Sequence, residues 1–382
     1  MSNDRFTETT STGWFSRIGS SIMGVLVGVV FVLVSTGLLW WNEGRSVKTA
    51  KGLAEGAQIT VEAKPDAIDP ALDGKLVHLT GTTSLTDPAK DDPFNVTGPD
   101  LIKLHRNVEI FQWVEETKET TKTKVGGSEE KVTEYNYIKK WDSRLHDSSE
   151  FRHPQDHENP KPLLQSAEFQ AQKVTLGAFR LPDFLLSQWT SLTPHPLPDL
   201  ATLPAALAEL ASVQDQWLVL SKTPQNPALG DARVQFESLK TGDASLLARQ
   251  VQDTFEEYTT SQGTSIARIT SGVQSKEAMF AAAQSENTFI AWLLRLVGFI
   301  VMFVGTALVF KPLKVLADVL PLAGRIVGAG TGFIAFLLSA VSATTIIALS
   351  WLWYRPLLGI ALLALALGGL FLIKKAFQPK TT

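Results

Sequence analysis

Apolar residues are gathered into a few long runs, and the first of them, residues 22–41 (IMGVLVGVVFVLVSTGLLWW), carries no charge. At 1.5 Å of helical rise per residue, about 20 such positions match a hydrocarbon core of roughly 30 Å. The run ends in Trp40-Trp41-Asn42-Glu43 and not in a small-residue cleavage site, so it reads as a retained span and not as a signal peptide. Residues 289–310, 327–351 and 356–373 repeat the pattern. Only Trp353-Tyr354-Arg355-Pro356 divides the last two, and a charge, bulky aromatics and a proline together predict a short outer turn at 352–355. Four spans bring the terminal segments, 1–21 and 374–382, to one face of the membrane.

Between the first two spans the period changes. Across residues 42–288 short alternating runs are punctuated by Gly, Pro and Asp, which predicts strands and turns. Candidate strands are 58–63, 75–82, 107–116, 131–141, 168–176 and 233–237. The clearest is a hairpin of residues 108–125 and 128–141 turning at Gly126-Gly127. Its tip, residues 115–134, is almost wholly polar and reads as a solvated ribbon or a partner contact. Residues 183–229 differ, with prolines among leucines and alanines; 199–212 predicts helix, hence a helical insertion. Ser275 is placed to cap a helix beginning Lys276-Glu277. Unbroken to Phe310, it makes a rod of roughly 50 Å entering the membrane. Residues 312–321, bounded by Pro312 and Pro321, predict a short helix lying on the membrane surface within an amphipathic loop, 311–326. The fold class is an α+β membrane protein with four transmembrane helices plus a large β-rich extracytoplasmic domain carrying a helical insertion.

Charge supplies an orientation. Lys311, Lys314 and Arg325, with Lys374, Lys375 and Lys380, mark cytoplasmic flanks. Arg45, Lys48 and Lys51 oppose this, but they head a long domain, and long domains translocate largely regardless of charge. Trp40, Trp41, Trp292, Trp351, Trp353, Tyr354 and Arg355 fall at the domain-facing helix ends, as an interfacial belt would. Arg295, one turn inside the second span, reads as a snorkelling anchor, with pairing to Glu43 or a place on an ion pathway as the alternatives. Gly24 and Gly28, and Gly324, Gly328 and Gly332, recur every four residues and predict close helix packing, within one chain or between chains.

Candidate chemistry is sparse. A net charge of −3 gives no electrostatic footprint for nucleic acid, and the absence of cysteine removes disulfides, thiolate metal sites and cysteine nucleophiles. His146-Asp147 and His153-Pro154-Gln155-Asp156-His157-Glu158 form the densest cluster of possible ligands. Pro154 and Asn159-Pro160 make this segment a loop in which spacing sets no third ligand, so neither a metal nor a cofactor is assigned. No G-x-S-x-G, H-E-x-x-H, P-loop or dinucleotide fingerprint occurs. Ser-His-Asp triads have no fixed order, so an envelope hydrolase with an extracytoplasmic metal or Ser/His site remains one alternative. A channel or transporter is another. Its spans would offer only hydroxyls such as Ser35, Thr36, Ser339, Ser342, Thr344 and Thr345, which equally well hydrogen-bond between helices.

Several motifs in one order carry a resemblance. They are Trp41-Asn42-Glu43-Gly44-Arg45, Glu109-Ile110-Phe111-Gln112-Trp113-Val114-Glu115 and Tyr135-Asn136-Tyr137 leading to Trp141. His157-Glu158-Asn159-Pro160, Gly230-Asp231-Ala232-Arg233-Val234 and Trp353-Tyr354-Arg355-Pro356-Leu357 follow. Together they resemble the transmembrane protein 43 (LUMA) family over nearly the whole chain, residues 183–229 excepted. The resemblance implies four spans, a large luminal domain and cytoplasmic termini. In animals it implies the endoplasmic reticulum and inner nuclear membrane, with emerin and lamins as partners and no catalytic residues. A cysteine-free chain suggests a bacterial member, for which the place would be the inner membrane with a periplasmic domain, and for which emerin and lamins make no sense. The expected function is a non-enzymatic scaffold with membrane lipids, further copies of itself and other membrane proteins as partners, and no nucleic acid.

Overall fold

In the computed structural model, which describes residues 4–357 and Ile360, strand β1 (Arg5–Thr12) precedes helix α1 (Trp14–Ile59), which continues well past the predicted end of the first span. Strands β2 (Val61–Ala63) and β3 (Leu76–Leu85) lead to the long ribbon of β4 (Leu101–Thr123) and β5 (Glu129–Asp142). Next come β6 (Ala167–Gln170), β7 (Val174–Leu176), β8 (Phe179–Arg180), α2 (Asp183–Gln188), β9 (Thr193–His195), α3 (Ala205–Ala208), β10 (Ala211–Gln214) and β11 (Trp217–Leu220). The β-rich body ends with β12 (Ala232–Lys240), β13 (Asp243–Val251), β14 (Thr254–Glu256), β15 (Tyr258–Thr259), β16 (Ser265–Ile266) and β17 (Arg268–Ser271). Helices α4 (Lys276–Ala317) and α5 (Pro321–Tyr354) follow. Helices α1, α4 and α5 are long and apolar enough to cross a membrane; the predicted fourth span, 356–373, lies almost wholly outside the described residues.

The larger sheet runs β1-β5-β4-β12-β11-β10, with β6 also on β4 and β9 on β12. The smaller runs β14-β13-β3-β7-β8, with β17 on β13 and β2 parallel to β3. Alternation explains the cores. On β4 and β12, Leu104, Val108, Ile110, Val234 and Phe236 turn to one side and close over Phe94 and Leu218. A second cluster, with Leu79, Leu176, Phe179, Trp189 and Leu246, joins the smaller sheet to α2 and β4. A third binds helices to strands: Leu53 of α1 and Met279 and Phe280 of α4 pack with Leu76, Leu247 and Ile266.

The hairpin turns where the glycines predict, Gly126 and Gly127 having φ of 89° and 79°, values that side-chain-bearing residues rarely adopt. The helical insertion does not form as expected. Residues 199–212 make a 3-10 turn at Leu200–Thr202, the single turn α3, and then strand β10. Pro204 lacks a backbone donor, so no helix runs through it, and after the single turn α3 residues Ala211–Gln214 are taken into the sheet by pairing with β11. The expected surface helix at 312–321 is likewise absent as a separate element: α4 carries Pro312 within it and continues to Ala317, and Pro321 opens α5, where its missing N–H costs nothing.

Ser275 accepts from Ala278 N at 3.2 Å, the cap that starts α4. The helix then runs antiparallel to α1, contact positions on one descending as those on the other rise. Gly28 lies on Gly305, Leu39 on Gly298 and Gly56 on Phe280, a continuous seam of about 40 Å. Ser21, Gly28, Ser35 and Asn42 are buried along α1 and Ala291, Gly298 and Gly305 along α4, both at seven-residue spacing, the period of an antiparallel supercoil.

The N-terminal segment also departs from expectation. Residues 1–21 contain β1, paired from Arg5↔Asn136 to Thr12↔Glu129, which covers an edge of β5 that would otherwise lie open. At the ribbon tip Gly126 N donates to Val319 O at 3.0 Å. Buried Arg17 donates to Gly127 O at 2.5 Å and to Asp318 Oδ2 at 2.5 Å, and lies 2.8 Å from Glu129 Oε2. The tip therefore touches the end of the helix bundle opposite the β-rich body.

Candidate functional site

Where α1, α4 and α5 leave the apolar zone toward the β-rich body, their polar residues meet. Glu43 is fully buried. Its carboxylate accepts from Arg295 Nε at 2.6 Å and Nη2 at 2.9 Å, and from Trp351 Nε1 at 2.7 Å. A buried carboxylate without such donors would be prohibitively costly, and the two-pronged guanidinium is suited to it. Beside it Asn42 Nδ2 donates to Ala291 O at 3.0 Å, Asn287 Nδ2 donates to Ser46 O at 3.0 Å, and Arg45 donates to Asn287 Oδ1 and Asn42 Oδ1. This junction ties three helices together at one level.

Two of the predicted anchors change role. Arg295 does not snorkel: it turns inward onto Glu43 and lies 4.6 Å from the Trp292 ring centroid. Trp351 turns its N–H inward as well. Trp40, Trp41, Trp292 and Trp353 stay exposed, as interfacial indoles do. Tyr354 packs on Gly44, where a Cβ would sit 2.7 Å from the phenol ring, and meets Trp40 edge-on at 6.1 Å. Arg355 lies 5.9 Å from the Trp351 ring.

The glycines also divide. A Cβ on Gly28 would stand 2.5 Å from the Gly305 carbonyl oxygen, whereas one on Gly24 meets Leu308 at 3.9 Å and nothing nearer among the described residues. Gly324 and Gly328 pack on Asp318 and Lys314 at the α4–α5 turn, and among the described residues nothing comes within 4 Å of a Cβ on Gly332. Within the spans, the close approach of α1 to α4 is thus made by Gly28, Gly298 and Gly305. The last two escape a search for four-residue spacing, although their seven-residue spacing is in the sequence. Gly28→Leu is expected to lower stability by about 1–3 kcal/mol, since the obstruction is backbone and cannot swing aside; thermal denaturation in detergent reads this out.

The histidine loop becomes part of an aromatic cluster at the root of the ribbon. His157, 1% exposed, stacks on Tyr137 at 4.0 Å and meets Trp113 edge-on at 4.8 Å, while His153 stacks on Phe6 at 4.1 Å. Burial, and then the hydrogen bond to Glu115, push the Tyr137 phenol upward in pKa. Asn159 fastens the loop: its Oδ1 accepts from Trp113 N, and its Nδ2 donates to Trp113 O and His146 O. Among the described residues no three His, Asp or Glu side chains are placed to hold a metal.

The motifs quoted above converge on two places. Trp41 to Arg45 meets Trp353 to Arg355 at the junction. The segment Glu109 to Glu115 meets Tyr137, His157 to Pro160 and Gly230 to Val234 at the ribbon root, where Pro160 faces Gly230 and Phe111 N donates to Asp231 O at 2.8 Å. The sequence pattern of transmembrane protein 43 matches residues 110–356. Rat transmembrane protein 43 is 32% identical over 377 residues, covering 95% of this chain and 92% of the relative. The human protein is 30% identical over 94% and 91%, and the Drosophila melanogaster homolog is 27% identical over 88% and 90%. No solved structure matches. With the matched pattern spanning both convergent sites and the relatives covering nearly its whole length, the chain belongs to the transmembrane protein 43 family of membrane proteins.

Proposed function

We propose that this protein is a non-enzymatic integral membrane scaffold, multi-pass, with its β-rich body on the extracytoplasmic side, and that it self-associates to organise membrane structure or membrane protein complexes. The observation that carries the reading is mechanical. Helices α1 and α4 run unbroken from the apolar zone into the core of the β-rich body, where Leu53, Met279 and Phe280 pack against Leu76 and Leu247. Force or displacement at the body is therefore transmitted to the spans without a flexible linker. In a bacterial cell the place would be the inner membrane, in a eukaryotic cell the endoplasmic reticulum and inner nuclear membrane.

Around the bundle, Leu26, Leu33, Leu293, Leu296, Phe333 and Leu337 remain outward, available to lipid or to the spans of neighbouring proteins. The test is the mass of the full chain extracted in native lipid particles, with imaging of the same particles. A defined oligomer with bodies in contact is expected; a monomer across native particles and several detergents would overturn self-association.

A further inference from the structure

We propose that the recess between α1 and the β15–β16 turn binds the phosphate of an acidic phospholipid, at the membrane face nearest the β-rich body. The inference rests on α1 crossing the bilayer, as proposed above. The recess measures about 660 Å³ and is lined on one side by Trp40, Trp41, Arg45 and Lys48 and on the other by residues 262–265. Arg45 lines the recess and directs its terminal nitrogens to Asn287 and Asn42, neutral partners that leave its guanidinium charge unpaired there. Lys48 is exposed one turn along α1 and makes no ion pair among the described residues.

Acidic groups nearby are already engaged. Glu43 is taken by Arg295 and Trp351, and Glu55 accepts from Ser261 N at 2.9 Å and Ser261 Oγ at 2.5 Å. Among the described residues the charged side chains lining the recess are Arg45 and Lys48, so the recess is cationic, with hydroxyls of Thr49, Thr264 and Ser265 on its walls. Its opposite wall is held in place. Thr264 Oγ1 donates to Lys48 O at 3.4 Å, Thr264 N donates to Thr260 Oγ1 at 3.1 Å, and Gly52 leaves room for both threonines against α1.

The choice of a lipid phosphate over a soluble one follows from position. The cations stand one to two turns beyond residues 22–41, and the exposed indoles of Trp40 and Trp41 lie between them and the apolar zone. Indoles occupy headgroup level, which is where a phosphodiester meets these cations while its acyl chains run down the outer face of α1. Cations near an anionic membrane surface each add to lipid attraction.

The full chain in nanodiscs of equimolar phosphatidylglycerol and phosphatidylcholine, followed by native mass spectrometry, tests this. The wild type is expected to retain phosphatidylglycerol over phosphatidylcholine by on the order of tenfold. Lys48→Glu, an exposed position that leaves folding intact by its melting curve, is expected to bring the ratio near parity, and Arg45→Gln to reduce it. Millimolar inorganic phosphate is expected to leave the wild-type ratio unchanged. Equal retention by wild type and Lys48→Glu, no preference in the wild type, or loss of preference to inorganic phosphate would each overturn the proposal. Failure of the chain to enter discs at all would instead refute its membrane placement.

Discussion

Glu43→Ala is expected to destabilise the protein by about 3–5 kcal/mol, because it strands the Arg295 guanidinium in a buried position without its carboxylate. Arg295 cannot escape easily, since its side chain is only 13% exposed and is flanked by the rings of Trp292 and Trp351. Trp351 would lose its acceptor at the same time, freeing α5 from α1. Denaturation in detergent, followed by tryptophan fluorescence, measures the loss. The double variant Glu43→Leu with Arg295→Met removes both charges and is expected to recover most of the stability, because well-packed apolar replacements of buried pairs are often neutral. A single variant within about 0.5 kcal/mol of wild type, the range of ordinary surface substitutions, would mean that the pair does not hold the junction.

Much of the fold was legible where the physics is local. Ser275 before Lys276-Glu277 announces α4, and Gly126-Gly127 between two long alternating runs announces the ribbon, because a cap and a turn are decided by adjacent residues. The 46 residues of α1 were legible only to Trp41, since its continuation is polar and is kept helical by burial of Leu53 and Gly56 against the body. Strand β1 was missed because RFTETTST has no apolar stripe; its strand character comes from the edge of β5 that receives it. Residues 199–212 do not form one helix because Pro204 blocks it from passing through and Ala211–Gln214 pairs with β11.

At the candidate site the residues were visible but their pairing was not. Glu43 and Arg295 lie 252 positions apart, so headgroup and partner compete for Arg295 in any reading of the sequence. Burial decides the matter once Glu43 is enclosed. The glycine seam shows the other limit: Gly28 was found through Gly24, its four-residue neighbour, yet its true counterpart is Gly305 on another helix. The small residues recur every seven positions because α1 and α4 wind around each other over their length.

The ribbon tip yields the second large effect. A disulfide between cysteines introduced at Val125 and Val319 is expected to form readily in the detergent-solubilised protein and to be nearly abolished in intact vesicles. Gly126 N donates to Val319 O, so the two positions are adjacent in the structure; Val125 is chosen because Gly126 has positive φ and would be strained by a side chain. No native cysteine competes. From Ile110 and Asp142, where the ribbon leaves the body, to Thr123 and Glu129 at its tip, the strands extend about 40 Å, comparable to the bundle itself. Glu116, Lys118, Glu119, Lys122 and Glu130 lie along that length, and their charges cannot enter hydrocarbon. With residues 22–41 in a bilayer and the body on one side, keeping these charges out of hydrocarbon would require Arg17 to release Glu129 and Gly127, β1 to unpair from the outer part of β5, and the tip to withdraw toward the body. Cross-linking as efficient in vesicles as in detergent would show that a water-filled level accompanies the bundle through the membrane. Charge-lined space of that kind would have to be walled by neighbouring copies, which ties this measurement to the oligomer mass.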